Sequence, residues 1–244
     1  MSETLFIADL HLDPKRPVVF NLALNFLTHR ACQADALYIL GDLFEVWVGD
    51  DDETLTYQSI WAALHNLTTS GIPVFIMHGN RDFLLGQHFA ATTGSQLIYE
   101  PYLIDLYGTQ TLLMHGDSLC TLDTDYQAFR QQVRNPQWQA QFLALPLAQR
   151  HQMAQQARAE SLTKGQITAE AIMDVTPEAV RAALETHDIY TLIHGHTHQA
   201  AKHELAIKGQ TAHRWVVGDW RKETAIILCC QPDNWQLIDL VKEK

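Results

Sequence analysis

The chain has 244 residues, 47% of them hydrophobic, which suits one sizeable α/β domain with room for an insertion and excludes a disordered polypeptide. A formal net charge of -11 argues against a nucleic-acid-binding surface over the whole protein. No apolar run approaches the ~20 residues that span a bilayer, and no basic-then-apolar segment opens the chain, so no signal peptide is expected and any membrane is met peripherally.

Residues 3–8 are an apolar run that predicts a buried strand and delivers Asp9 and His11 to its tip. On an extended segment Asp-x-His puts both side chains on one side, because side chains alternate with period two, so both can grip one ion. Pro14 and Pro17 enforce a loop. Residues 18–31 then carry a helical stripe of Phe20, Leu24 and Leu27. The next run, Leu37 to Leu40, ends in Gly41 and Asp42, and this β-α-β start marks a layered α/β domain. In such sheets ligands gather where strands end.

The acidic run Asp51 to Glu53 reads as a solvated loop capping a helix over 54–70, which turns Tyr57, Ile60, Trp61 and Leu64 inward. A third run, Val74 to Met77, ends His78-Gly79-Asn80-Arg81-Asp82. The Asn80 amide oxygen is a neutral hard ligand, and Arg81 offers a planar fork for phosphate oxygens. Residues 97–115 read as a β-meander ending at His115-Gly116-Asp117.

Residues 125–186 read as wholly helical, punctuated by Pro136, Pro146, Gly165 and Pro177. The boundaries give a helical cap over 123–186, inserted in a single domain of 1–244; an ordinary helical layer is the competing reading. Between Tyr126 and Thr168 the charged residues are Arg130, Arg134, Arg150, Arg158, Lys164 and one acid, Glu160. This basic island suits an anionic lipid surface or a phosphorylated ligand, and its pairing with apolar bulk suits an interfacial segment. Residues 189–194 predict a further strand ending in His196 and His198, again an x-spaced pair. Strands near 202–206, 214–218, 225–229 and 235–241 are expected to complete a second sheet packed on the first. Cys229 and Cys230 lie in one of them, and all four cysteines read as buried, reduced thiols of a cytosolic protein.

Five strand ends thus present Asp9, His11, Asp42, Asn80, His115, His196 and His198. Three oxygen donors and four imidazoles without a thiolate suit a pair of borderline-hard divalent ions, and seven ligands are too many for one tetrahedral zinc. Asp42 is the carboxylate expected to bridge two ions of the kind that hydrolyse phosphate esters and anhydrides in line, with Arg81 adding positive charge for the transition state. His78, His115 and His194 occupy equivalent places before glycine, and spacing alone does not say which of them ligate.

In this order D-x-H, G-D, G-N-R-D, H-G-D and G-H-T-H resemble the calcineurin-like metallophosphoesterases over most of the chain. The resemblance implies a four-layer αββα sandwich of α/β (α+β) class with a dinuclear centre between the sheets. It assigns Asp9, His11, Asp42 and His198 to one ion, and Asp42, Asn80, His115 and His196 to the other. The stretches 41–51, 79–84, 115–121, 126–130 and 171–175 are similar, more closely, to the UDP-2,3-diacylglucosamine pyrophosphatase family of lipid A synthesis. That similarity implies manganese-dependent attack of water on the α-phosphorus, release of UMP and 2,3-diacylglucosamine 1-phosphate, and acyl chains held by the inserted helices. It implies an enzyme peripheral on the cytoplasmic face of the inner membrane, with a UDP-diacylglucosamine substrate and no obligate protein partner. Arg81 stands where many relatives have a histidine general acid, which favours a leaving group needing little protonation. Asn80, Arg81, Asp123, Ser161 and His196 match family substrate contacts. Leu122, Gly165 and Thr168 depart from the family's Asp, Asn and Lys, and Lys164 offers a cation in their place. Another phosphoesterase of the superfamily, or a partner-binding scaffold without catalysis, are the competing functions.

Overall fold

Each central strand is apolar on both faces, and its alternate residues go to two different cores. Leu5 and Ile7 of β1 (Thr4–Ile7) enter one cluster while Phe6 enters another. Leu37 and Ile39 of β2 (Ala36–Ile39) divide from Tyr38 in the same way. A strand covered on both sides belongs in the middle of a layered structure, with no face left for water. The computed structural model describes residues 2–52, 57–167 and 174–242 of the chain, without the side chains of residue 162 and residues 164–167.

β1, β2, β3 (Val74–Met77) and β4 (Gln96–Ile98) run parallel to one another. β11 (Thr224–Gln231) closes on β1 antiparallel, flanked by β10 (Trp220–Arg221) and β12 (Asn234–Asp239). A second, five-stranded sheet has the order β5-β6-β7-β9-β8. Its parallel centre is β6 (Thr109–Met114), β7 (Thr191–His194) and β9 (Gln210–Val216); β5 (Tyr102–Leu106) and β8 (Ala201–Ile207) are antiparallel edges.

The middle core, including Phe6, Leu40, Met77, Leu113, Ile193 and Trp215, draws on both sheets. Outside the first sheet lie α1 (Pro17–Asn25), α2 (Gln58–Thr69) and α3 (Gln87–Thr93), through Val19, Ala23, Ile60, Leu64 and Phe89. Outside the second lies α7 (Pro177–His187), whose Val180 and Leu184 pack on Leu112, Leu192 and Ile207. The result is the αββα sandwich expected from the sequence. Against the turns that follow β2, β3 and β6 sit α4 (Thr124–Val133), α5 (Pro136–Leu143) and α6 (Leu147–Ile167).

Several expectations are corrected. The helix over 18–31 is α1 up to Asn25, then a π turn and a 3-10 turn to Gln33, and its buried stripe is Val19, Ala23, Phe26 and Leu27, with Phe20 and Leu24 only partly covered. α2 begins at Gln58; residues 53–56 lie outside the described residues. The meander divides, because β4 pairs with β3 while β5 and β6 form a hairpin in the other sheet. The tail divides likewise: β8 and β9 join the second sheet, but β11 and β12 return to the first. The helical stretch 125–186 is not one body, since α7 covers the second sheet as an ordinary layer while α5 and α6 reach the other core through Trp138, Phe142, Leu147 and Ala154. Residues 168–173, with Thr168, lie outside the described residues. Cys32 is exposed rather than buried, while Cys120, Cys229 and Cys230 are buried, and all four thiols are free.

Candidate metal centre

The ligand candidates stand on turns that immediately follow β1, β2, β3, β6 and β7. They are not on extended backbone. Asp9, His11, Asp42, His196 and His198 have φ of 57°, 47°, 53°, 71° and 57°. This left-handed region is one that Asp, Asn and His tolerate better than other non-glycine residues. The period-two argument for Asp-x-His and His-x-His is therefore wrong in its reason. The pairs are aimed by tight turns, and the outcome differs between them: Asp9 and His11 converge, whereas His196 and His198 part to two groups.

Donor atoms of Asp9, His11 and His198 lie within 4.8 Å of one another, as do those of Asp42, His115 and His196. His11 Nε2 is 3.2 Å from His198 Nε2. Asn80 Oδ1 is 3.1 Å from His115 Nε2 and 3.0 Å from His196 Nδ1, so it completes the second group. Asp42 Oδ2 lies 3.7 Å from His11 Nε2 and 3.9 Å from His115 Nε2, between the two groups, where a bridging carboxylate is required. All seven predicted ligands are thus brought together.

Fixed hydrogen bonds aim these donors. His115 Nδ1 donates to the Leu40 carbonyl at 2.8 Å and leaves Nε2 to face the centre. Asp42 Oδ1 accepts the Arg81 amide at 2.8 Å, leaving Oδ2 free. Asp9 Oδ2 accepts the His196 amide at 2.8 Å, while buried Asp9 Oδ1 has no hydrogen-bond partner among the described residues. A buried carboxylate oxygen left orphaned is costly unless a cation meets it, and here it faces the His11 and His198 rings. Gly41 (φ +95°) lets the turn pass under the ring of His115, because a Cβ there would lie 2.5 Å from His115 Nδ1. A Cβ at Gly79 would overlap Asp42 itself. The donor set and the orphaned oxygen fit a pair of divalent cations.

Charge is concentrated here. Burial, with the Asp42 charge adding to it, pushes Asp9 up to about 7. Burial works against protonated His115, but Asp42, Asp117, Asp9 and Glu100 outweigh it and lift the ring to about 9. Burial holds His196 down to about 4 and His198 to about 3, so both are neutral and ready to ligate at neutral pH. Of the three histidines that precede glycine, only His115 enters the centre. His78 Nε2 donates to the Leu85 carbonyl, and His194 lies between the Gly195 carbonyl and Arg214.

Two cavities meet at the centre. One, of about 410 Å³, is lined by His11, Asp42, His196 and His198 together with Arg16 and Arg221. The other, of about 390 Å³, runs between the sandwich and α4 to α6, with Val46, Val48, Phe83, Phe129, Trp138 and Phe142 on its walls. Glu45, Asn80, Arg81 and Arg158 line both. Arg81 Nε is buried and has no acceptor among the described residues. Asp123, the N-cap of α4, and exposed Ser161 line the second cavity. The side chain of Lys164 lies outside the described residues, and Gly165 beside it offers none.

Sequence reading missed Glu45 and the arginines' partners. Glu45 Oε2 is 3.1 Å from His11 Nδ1, and Glu45 Oε1 is 2.7 Å from Arg158 Nε. The four described arginines of the basic island are engaged within the protein rather than forming an open electrostatic surface. Arg130 pairs with Glu100 and Asp117; Arg134 donates to the Gly79 carbonyl at 2.9 Å; Arg150 is buried on Asp51 and the Val48 carbonyl. Of the acidic run expected to cap the next helix, Glu53 lies outside the described residues and the other two have partners elsewhere. Asp51 and Asp52 pair with Arg150 and His151, while Asp50 accepts the Gly86 and Phe89 amides at the start of α3. No spacing rule reveals such pairs, because Arg150 and Asp51 stand 99 residues apart in the chain and Arg158 and Glu45 stand 113 apart, and they meet only in space.

The calcineurin-like phosphoesterase family model matches residues 3–200. The chain is 51% identical over 220 residues to a UDP-2,3-diacylglucosamine hydrolase of Cellvibrio japonicus, covering 90% of this chain and 92% of that one. Similar proteins of the same name occur in Marinobacter nauticus, at 51% identity over 89% of each chain, and Serratia proteamaculans, at 50% over 92% and 93%.

Proposed function

The chain belongs to the calcineurin-like phosphoesterase family, and from that premise we propose that it hydrolyses the pyrophosphate of UDP-2,3-diacylglucosamine. Water attacks the α-phosphorus, giving UMP and 2,3-diacylglucosamine 1-phosphate for lipid A synthesis. One observation carries the reading: two donor groups joined by Asp42 stand at a cavity that shares the wall of Glu45, Asn80, Arg81 and Arg158 with a largely apolar cavity roofed by helices. A charged head and fatty tails need that adjacency. The names of the relatives support the substrate.

Asp9, His11, Asp42 and His198 would hold one ion, and Asp42, Asn80, His115 and His196 the other, with manganese as the metal. When bound, such a pair supplies Lewis acidity and an activated water for in-line displacement. Arg81, on the wall common to both cavities, neutralises charge that develops on the phosphoryl oxygens. No histidine acid stands at its position, and the departing sugar phosphate needs little protonation. Asn80 and His196 orient the phosphates from the metal side, and Asp123 and Ser161 contact the substrate from the wall of the second cavity.

The acyl chains lie among Phe83, Phe129, Trp138 and Phe142. Exposed Leu122, Phe129, Leu143 and Met153 give the cap an apolar rim for reaching a lipid surface peripherally, on the cytoplasmic face of the inner membrane. No helix among the described residues is long and apolar enough to cross a membrane. No nucleic acid and no obligate protein partner enter the reaction. Incubation with UDP-2,3-diacylglucosamine and Mn(II) in detergent micelles is expected to release UMP. Hydrolysis of phosphopeptides or simple diesters without UMP release from the lipid would overturn the assignment.

A further inference from the structure

Two motifs take no part in the reaction as proposed: His115-Gly116-Asp117, beyond its histidine, and the Tyr126 to Arg130 stretch of α4. The fold brings them together. Arg130 Nε donates to Asp117 Oδ2 at 2.9 Å, and its Nη2 pairs with Glu100. The other oxygen of Glu100 accepts the amide of His115 at 2.7 Å. Tyr126 donates its hydroxyl to Asp117 Oδ2 at 2.5 Å, and Gln127 Nε2 donates to the Asp117 carbonyl at 2.8 Å. The Tyr126 ring stacks on His196, the centroids 6.1 Å apart. Arg130 lines neither cavity.

One guanidinium therefore faces two buried carboxylates, one on each side of a ligand-bearing turn, and it comes from the first helix of the cap. Removing it would leave Glu100 and Asp117 buried without their common partner, and both would be driven to move or recruit water. Either movement displaces His115, which Glu100 grips by its amide. The Asp9, His11 and His198 group touches no member of the Arg130, Glu100 and Asp117 cluster directly among the described residues; it is joined to it only through Asp42 and through the Asp9 Oδ2 bond to the His196 amide.

We propose that Arg130 is a positioning residue, docking α4 on Glu100 and Asp117 so that filling of the metal site at His115 and seating of the cap favour one another. This rests on the two-ion reading above. The coupling is reciprocal: whatever seats α4 tightens that site, and the ion at that site seats α4.

The test is titration of metal-free protein with Mn(II) alone, followed by calorimetry, for wild type, Arg130→Gln and Arg130→Lys. Outer-shell partners of metal ligands are commonly worth ~10–100-fold in affinity. Arg130→Gln is expected to weaken one of two Mn(II) sites by that factor and leave the other unchanged; Arg130→Lys, which restores the charge, is expected to recover part of the loss. Wild-type affinities in Arg130→Gln, or equal weakening of both sites, would overturn the inference. A second measurement needs no variant: in wild type, Mn(II) is expected to slow amide hydrogen exchange across Thr124–Val133, and unaltered exchange there with both ions bound would overturn it. Wild-type protein that takes up no pair of ions refutes the two-ion reading instead, and this inference with it.

Discussion

The floor of the site and its roof are built on opposite plans. The floor is made of short turns after five strands, crowded by glycines and aimed by hydrogen bonds within the sandwich. The roof, α4 to α6, joins the first sheet's core through α5 and α6 and is also fastened to the floor by arginines: Arg130 to the turn after β6, Arg134 to that after β3, Arg150 and Arg158 to that after β2. Cations that look in sequence like a surface for lipid phosphates are consumed as fasteners. The contrast assigns metal chemistry to the floor, and substrate retention to a roof whose seating depends on the floor's acids.

Asp42→Ala strikes the floor at its junction. Turnover is expected to fall by more than about 10³-fold through loss of bound metal. Circular dichroism should remain native and metal analysis should show the loss; full metal content in an inactive variant would break the bridging assignment. Arg81 stands where floor meets roof. Arg81→Ala is expected to lower kcat by ~10²-fold while both ions stay bound, as for loss of a transition-state contact; loss of metal instead would move Arg81 into the floor.

Much of the floor was legible. Apolar runs ending in Gly-Asp, Gly-Asn or Gly-His name both the strands and the donors, since strand period and strand-end chemistry are local properties. What was not legible is non-local. The alternation of β11 and β12 fits either sheet, and only pairing with β1 places them in the first. The left-handed turns at Asp9 and His198 do not follow from an alternating pattern. Nor could sequence divide α7 from the cap, because Val180 and Leu184 would suit a roof as well as a layer. The arginine fasteners were hidden because Arg150 and Asp51, or Arg158 and Glu45, meet only after folding.

Arg150→Ala tests the roof alone. It removes the donor of the Val48 and Leu145 carbonyls, at a cost of about 2 kcal/mol or less, discounted because its partner Asp51 is largely exposed. Faster proteolysis near residues 144–150 with unchanged Mn(II) affinity is expected; a change in metal binding would blur the two regions.

The smallest effect is a pH dependence confined to the floor. The pKa of Asp9 is raised by folding to about 7, so its contribution to metal-free stability is full below the ordinary carboxylate range and lost as pH rises through about 7. His115, raised to about 9, also gives up a proton to a metal. The increase in melting temperature on adding Mn(II) should therefore grow from about pH 5 to about pH 8. A shift independent of pH would show that ion uptake displaces no protons.

The left-handed backbone at Asp9, His11, Asp42, His196 and His198 also bears on how such a site decays in evolution. Each of these non-glycine residues costs on the order of 1 kcal/mol in that conformation. A descendant that abandoned hydrolysis would be free to take glycine at all five, relieving that cost, whereas valine or isoleucine would be barred there on steric grounds alone. Glycines at these aligned positions in a sibling lineage would mark retired chemistry, legible in its genome without an assay.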